Sequence, residues 1–174
     1  MSLWSRFFRR FRPLVIDGFD DLIEHDLSAG SLVEICGEVE AVETIIDPIA
    51  GIECVAIDYG AWPQSTTAGI DGAAPSNSRA FQLTCHQAVD FVLLRGGLRL
   101  LVRVDRGRDV GELHHQLLER YGLGLRSDAQ SIVGGDRVRI TASIERLRNA
   151  GSPHRSDPYL AVVAAQQIWR VTEH

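Results

Sequence analysis

Lysine is absent from this 174-residue chain: all 18 of its basic residues are arginine. Alongside abundant alanine and glycine, that absence reads as the codon bias of a GC-rich bacterial genome rather than as a functional device. Cysteine is scarce. Cys36, Cys54 and Cys85 are odd in number and lack a Cys-x-x-Cys spacing, which excludes a disulfide framework and a zinc site read from sequence. They point to a reducing cytoplasm. No apolar run approaches the ~20 residues that span a bilayer. After the basic start, the only apolar stretch is Leu14-Val15-Ile16, ended by Asp17, so no secretory signal is legible. There is no P-loop, no Gly-x-Ser-x-Gly elbow and no Ser-His-Asp order. The net charge of −5 argues against a dedicated nucleic-acid binder, whose affinity rests on neutralising phosphates.

What is present divides into three. Residues 1–13 form a basic amphipathic segment, 14–30 connect it to the body, and 31–174 read as a single β-barrel domain. The first twelve residues hold four arginines and no acid; the remainder holds 14 arginines against 23 acids, a net of −9. Within the segment, Leu3, Trp4, Phe7, Phe8 and Phe11 recur at helical spacing, with Arg6, Arg9, Arg10 and Arg12 filling much of the rest and Pro13 as the stop. A short basic helix with an aromatic face lies in a membrane interface, arginines toward anionic headgroups. Docking of the aromatics on the domain itself, disorder, and contact with nucleic acid are the competing readings.

The body alternates by twos. Leu32–Thr44 predicts a strand with Val33, Ile35, Gly37, Val39 and Ala41 on one face and Glu34, Glu38 and Glu40 on the other. Gly37 in mid-strand predicts a bend of the kind that carries a strand round a barrel corner. Ile52–Tyr59 predicts a strand that pairs with Arg79–His86 across a long loop, Pro63–Ser78. Phe91–Leu94 and Leu98–Val104 form a tight hairpin about Arg95-Gly96-Gly97. One body helix is predicted at 110–121, with Val110, Leu113, Leu117, Leu118 and Tyr121 on its apolar side, Asp109 as N-cap and Gly122 as C-terminal stop. Strands Asp136–Arg148 and Tyr159–Val171 follow, joined by the loop Asn149–Pro158. The fold class is therefore mainly β: a small OB-like barrel of five to seven strands, with one helix covering a barrel end.

On these elements a family pattern becomes visible. Gly37-Glu38-Val39, then Asp47-Pro48-Ile49-Ala50-Gly51-Ile52-Glu53-Cys54-Val55, resembles a motif of the GIDE/BAM ("beside a membrane") module. That module occurs in the mitochondrial E3 ubiquitin ligase family and its prokaryotic relatives. The family form is approximately G-x-V, a spacer, then S-P-[IL]-S-G-x-x-C-[VA]; Asp47 and Ala50 stand here for the two serines. Val89–Val104 resembles the family's hairpin, with Arg95-Gly96-Gly97 where an Asp/Thr-Gly turn is usual. Gly134–Glu145 resembles its later G-D-x-V strand, and the pattern covers about residues 32–172. The resemblance implies a β-rich module working near a membrane through protein or ligand contacts. No zinc-ligand set at RING spacing and no spanning helix is legible, so ligase activity is not carried over.

The chemistry-bearing residues point the same way. The adjacent pairs Cys85-His86 and His114-His115 project to different sides and make no chelate. Cys54 reads as a small buried hydrophobe, and Gly134-Gly135-Asp136 as a turn into a strand rather than a phosphate cradle. Arg99 and Arg103 share one strand face, and Arg137 and Arg139 another. That arrangement is the alternative, a single-strand nucleic-acid or nucleotide face, but aromatic partners are missing between them and ion pairs with Glu34, Glu38 and Glu40 compete. The expectation is a non-enzymatic interaction module without a cofactor or metal, contacting an unidentified protein through barrel loops. It is cytoplasmic, and peripheral on the inner face of a membrane through Leu3, Trp4, Arg6, Phe7, Phe8, Arg9, Arg10 and Phe11.

Overall fold

The structure, a computed structural model, describes residues 13–24, 27–63, 82–148 and 158–171. The elements in chain order are β1 (Leu14–Ile16), α1 (Asp21–Glu24), β2 (Leu32–Ala41), β3 (Ile45–Ile46), β4 (Glu53–Cys54), β5 (Ala56–Pro63) and β6 (Leu83–Ala88). Then come β7 (Phe91–Arg95), β8 (Leu98–Arg103), α2 (Val110–Tyr121), β9 (Leu125–Ile132), β10 (Arg137–Leu147) and β11 (Ala161–Arg170). The predicted helix at 110–121 is α2. The segment expected as one domain, 31–174, divides into two compact units, with Thr44–Val89 and Arg106–Ile132 forming the second.

The first unit is a closed five-strand β-barrel of OB-like order. Neighbours run β2-β10-β11-β8-β7, and β7 returns to β2 to close the ring. The β11–β8 pair is parallel and the others are antiparallel. The short β1 adds parallel to the outside of β2. Period-two alternation supplies the filling: Val33, Ile35 and Val39 of β2, Phe91 and Leu93 of β7, Leu100 and Val102 of β8, and Val138 and Ile140 of β10 are buried. At about 1.5–3 kcal/mol for each large side chain taken from water, this cluster dominates the unit's stability.

Gly37 marks the corner the sequence predicts. β2 pairs with β10 through Leu32–Glu38 and with β7 through Glu38–Ala41, so the pairing with β7 begins at the residue after Gly37. A Cβ on Gly37 would sit 3.0 Å from the Leu94 carbonyl oxygen and 3.3 Å from Leu93 Cβ. The close approach of β7, not an unusual backbone angle, requires glycine. Gly37→Val is expected to lower the unfolding free energy by about 1–3 kcal/mol through overpacking, read as a lower urea midpoint. An unchanged midpoint would mean that the corner can yield.

The β7–β8 hairpin turns on Gly96 and Gly97, with φ of 58° and 79°, the two positive angles of a type I′ turn. Gly134-Gly135-Asp136 is the expected turn: the Asp136 carboxylate accepts the Val133 N–H at 2.9 Å and pairs with Arg170.

The second unit is a three-stranded antiparallel sheet, β6-β5-β9, with α2 packed on it and a small β3–β4 hairpin. The expected strand Ile52–Tyr59 is interrupted at Val55, whose N–H and C=O bond Ile132 and Val89. The β5–β6 pairing is as predicted. β9 was not predicted: Ser127, Ala129 and Ser131 on one face and Arg126, Asp128 and Gln130 on the other carry no apolar alternation. Pairing with β5 makes it a strand. The helix predicted over a barrel end has β5, β6 and β9 as its packing partners. Its N-cap is as predicted: Asp109 accepts the Glu112 N–H at 2.9 Å, and Gln87 accepts the Val110 N–H at 2.9 Å. Val110 and Leu113 are buried, whereas Leu118, assigned to the apolar side, is exposed.

Candidate functional site

Asp47 is the one carboxylate among the described residues that is buried, at 2% exposure. It begins the turn of the β3–β4 hairpin, where Asp before Pro48 favours turn initiation and its side chain can replace backbone partners. Oδ1 accepts the N–H of Ile49 at 2.8 Å and of Ala50 at 3.0 Å; Oδ2 accepts the Ser131 hydroxyl at 2.5 Å. The backbone closes the same loop, since Gly51 N–H donates to the Asp47 carbonyl and Asp47 N–H to that of Ile52. Burial pushes the carboxyl pKa up. The bonds from Ser131, Ala50 and Ile49, together with the nearby His114, outweigh burial and hold it below the ordinary 3.8.

The hairpin spends its polarity inward and its apolar groups outward. Ile46, Ile49 and Ile52 are 56%, 44% and 45% exposed on a segment of seven residues. Cys54, at the hairpin's base, is 1% exposed, and burial pushes its thiol up, so it is a protonated core residue as the sequence implied. Behind the hairpin, Tyr59 and His114 bond at 2.8 Å, Oη to Nδ1, with their rings edge-on at 5.6 Å. Burial lowers the His114 pKa despite the attraction of Asp47. His115 points away, to Glu119 at 3.3 Å, so the histidine pair makes no chelate. Among the described residues no group of His, Cys, Asp or Glu is arranged to hold a metal ion.

The arginines set aside as a nucleic-acid face are occupied by acids. Arg99 reaches Glu40; Arg103 lies 3.9 Å from Asp90 and 3.7 Å from Glu145; Arg139 lies 3.5 Å from Glu34. Arg137 stands opposite Glu38 in the β10–β2 register. The acids of β2 thus meet the arginines as cross-strand chemistry leads one to expect, and the charge available to phosphates is largely neutralised. Arg99 also lies over the Tyr159 ring at 5.6 Å.

The membrane-contact candidates Leu3, Trp4, Arg6, Phe7, Phe8, Arg9, Arg10 and Phe11 lie outside the described residues, as do residues 64–78 and 149–157 of the two loops. Trp62 is half-buried on β5. Among the described residues no helix is long and apolar enough to cross a membrane.

The outer face of the second sheet was not singled out from sequence. It holds an open concavity of about 380 Å³ bordered by Asp58, Thr84, His86, Asp128 and Gln130, with Gly60 at its floor. Each strand taken alone shows only a polar face; the β5–β6 and β5–β9 registers bring them together. No protein-family model matches the chain, and no curated protein matches it in sequence.

Proposed function

We propose that this protein is a non-enzymatic binding module that works beside a membrane, peripheral to its inner face, and contacts a protein partner through the β3–β4 hairpin. The carrying observation is the hairpin itself: three outward isoleucines on a turn locked by a buried carboxylate. An exposed apolar cluster on a rigid loop is a contact surface at little entropic cost, because its backbone is already ordered before binding. The hairpin is also the segment that carries the resemblance to the "beside a membrane" module. Asp47 stands where that family has serine, and an aspartate makes the same side-chain turn more strongly than a hydroxyl. Residues 1–12 supply the membrane part, with an aromatic face and four arginines at one end of an otherwise acidic chain.

Co-sedimentation with phosphatidylserine-containing vesicles tests the reading. The full chain is expected to pellet with anionic vesicles and not with phosphatidylcholine alone. A chain lacking residues 1–12 is expected to stay in solution. The variant I46S/I49S/I52S is expected to pellet like the parent, since the hairpin faces a protein. Equal failure of the full and shortened chains to pellet sinks the membrane assignment. Loss of pelleting in the triple variant would reassign the hairpin to the bilayer.

A further inference from the structure

We propose that the outer face of the β6-β5-β9 sheet binds a neutral saccharide, seated over Gly60. Glycine is disfavoured in strand interiors because it loses the most entropy and packs nothing; where it occurs it commonly marks a bulge or a place that something approaches closely. Gly37 and Gly107 have such reasons in the fold, each lying against a backbone carbonyl. Gly60 has none. Its φ is not in the left-handed region, and a Cβ there would meet only side-chain atoms, Asp128 Oδ1 at 2.7 Å and the Trp62 ring at 3.6 Å. The missing side chain makes the floor of the concavity, whose ~380 Å³ falls within the range of small-molecule sites.

The register places the lining. Asp58 stands between His86 and Gln130, and Gly60 between Thr84 and Asp128, so two rows of three residues cross the sheet. Asp58, Thr84, His86, Asp128 and Gln130 all border the concavity. Carboxylates and a carboxamide each offer two adjacent hydrogen-bonding atoms, the spacing that engages neighbouring hydroxyls, while imidazole and hydroxyl both donate and accept. Trp62 adds an aromatic surface at the edge, suited to the C–H face of a sugar ring. Two carboxylates repel phosphates and other anions. An aliphatic ligand would cover the carboxylates, carboxamide and hydroxyl of the lining without offering them partners, and a small cation would use the carboxylates and leave Gln130, Thr84 and Trp62 idle. A neutral, hydroxyl-rich ring uses them all. This site is separate in residues from the isoleucine hairpin and stands whether or not the membrane reading holds.

Amide NMR titration of the ¹⁵N-labelled full chain tests it, with maltotriose, cellotriose, mannotriose and triacetylchitotriose as probes and spermidine as the cationic control. One trisaccharide is expected to give saturable shifts centred on residues 58–62, 84–86 and 128–130, with a Kd of about 1 mM or tighter. Gly60→Ala moves only the tip of Asp128, so it folds, and is expected to weaken binding at least tenfold. Asp128→Asn, which changes no volume, is expected to weaken it severalfold. Absence of saturable shifts with all four trisaccharides overturns the proposal. So does binding of spermidine alone, or saccharide binding that both variants leave unchanged.

Discussion

Gly107→Ala is expected to be the most damaging glycine-to-alanine change among the described residues, removing about 3–5 kcal/mol of stability. Gly107 lies between Arg106, whose carbonyl accepts the Ala88 N–H, and Arg108, whose N–H donates to the His86 carbonyl. It bridges Gln87 at the edge of β6. Its φ is +64°, where an L side chain costs about 1–2 kcal/mol. A Cβ would also fall 2.2 Å from the His86 carbonyl oxygen and 2.8 Å from its imidazole. Backbone has to move, and the pairing that leads the chain from β8 into α2 moves with it. Gly96→Ala is the matched control, because φ there is +58° but a Cβ meets nothing within 4 Å. It is expected to cost only the angle, about 1–2 kcal/mol. Urea midpoints of the two variants decide the matter; equal losses would show that contact with His86 is not what demands the glycine.

Asp47→Ala is expected to cost about 2–4 kcal/mol, since hydrogen bonds to a buried charged group are worth more than neutral ones and three donors lose their acceptor. The same contacts predict a pH dependence. Because the folded pKa of Asp47 lies below 3.8, the unfolded chain takes up the proton first. Its contribution is complete above 3.8 and is lost as the pH falls through the folded value. His114 acts in the same direction at higher pH: its folded pKa lies below 6.5, so the unfolded chain binds more protons in the window beneath 6.5 and stability falls there on acidification. Tyr59, Asp47 and His115 are the titratable neighbours entering that balance. Chemical denaturation between pH 3 and 8 should show two declines. The upper is removed by His114→Gln and the lower reduced by Asp47→Asn. A parent curve flat from pH 7 to pH 5 would show that burial does not disfavour the charged imidazole.

Asp47 also shows why a site residue can be visible in a sequence and still be misjudged. It was legible as a departure from a serine-containing motif, and Asp-Pro followed by glycine is a turn signal by local chemistry alone. Its partner Ser131 lies 84 positions away on β9, a strand with no apolar alternation, so nothing local could join them. The concavity over Gly60 was hidden for the same reason. Asp58, His86 and Asp128 look like solvated residues of three unrelated segments until the pairing registers bring them to one face. The ion pairs of β2 were different: Glu34 and Arg139 sit on strands whose alternation already exposed them, and only the neighbour relation had to be supplied.

By itself the sequence determined whatever a short window of chain carries energetically. That includes the period-two apolar faces, the bend at Gly37, the Gly96-Gly97 turn, and the Asp109-capped helix ending at Gly122. It also determined the contrast between a basic aromatic segment and an acidic body. Tertiary structure decided which strands became neighbours, and so closed β7 onto β2, made β9 a strand, and gave α2 a sheet to pack on. It also turned Asp47 from a turn residue into a buried anchor. Pairing energy is non-local and non-specific in sequence: any strand edge offers the same N–H and C=O groups. Only burial of side chains on both faces at once selects the partner and the register.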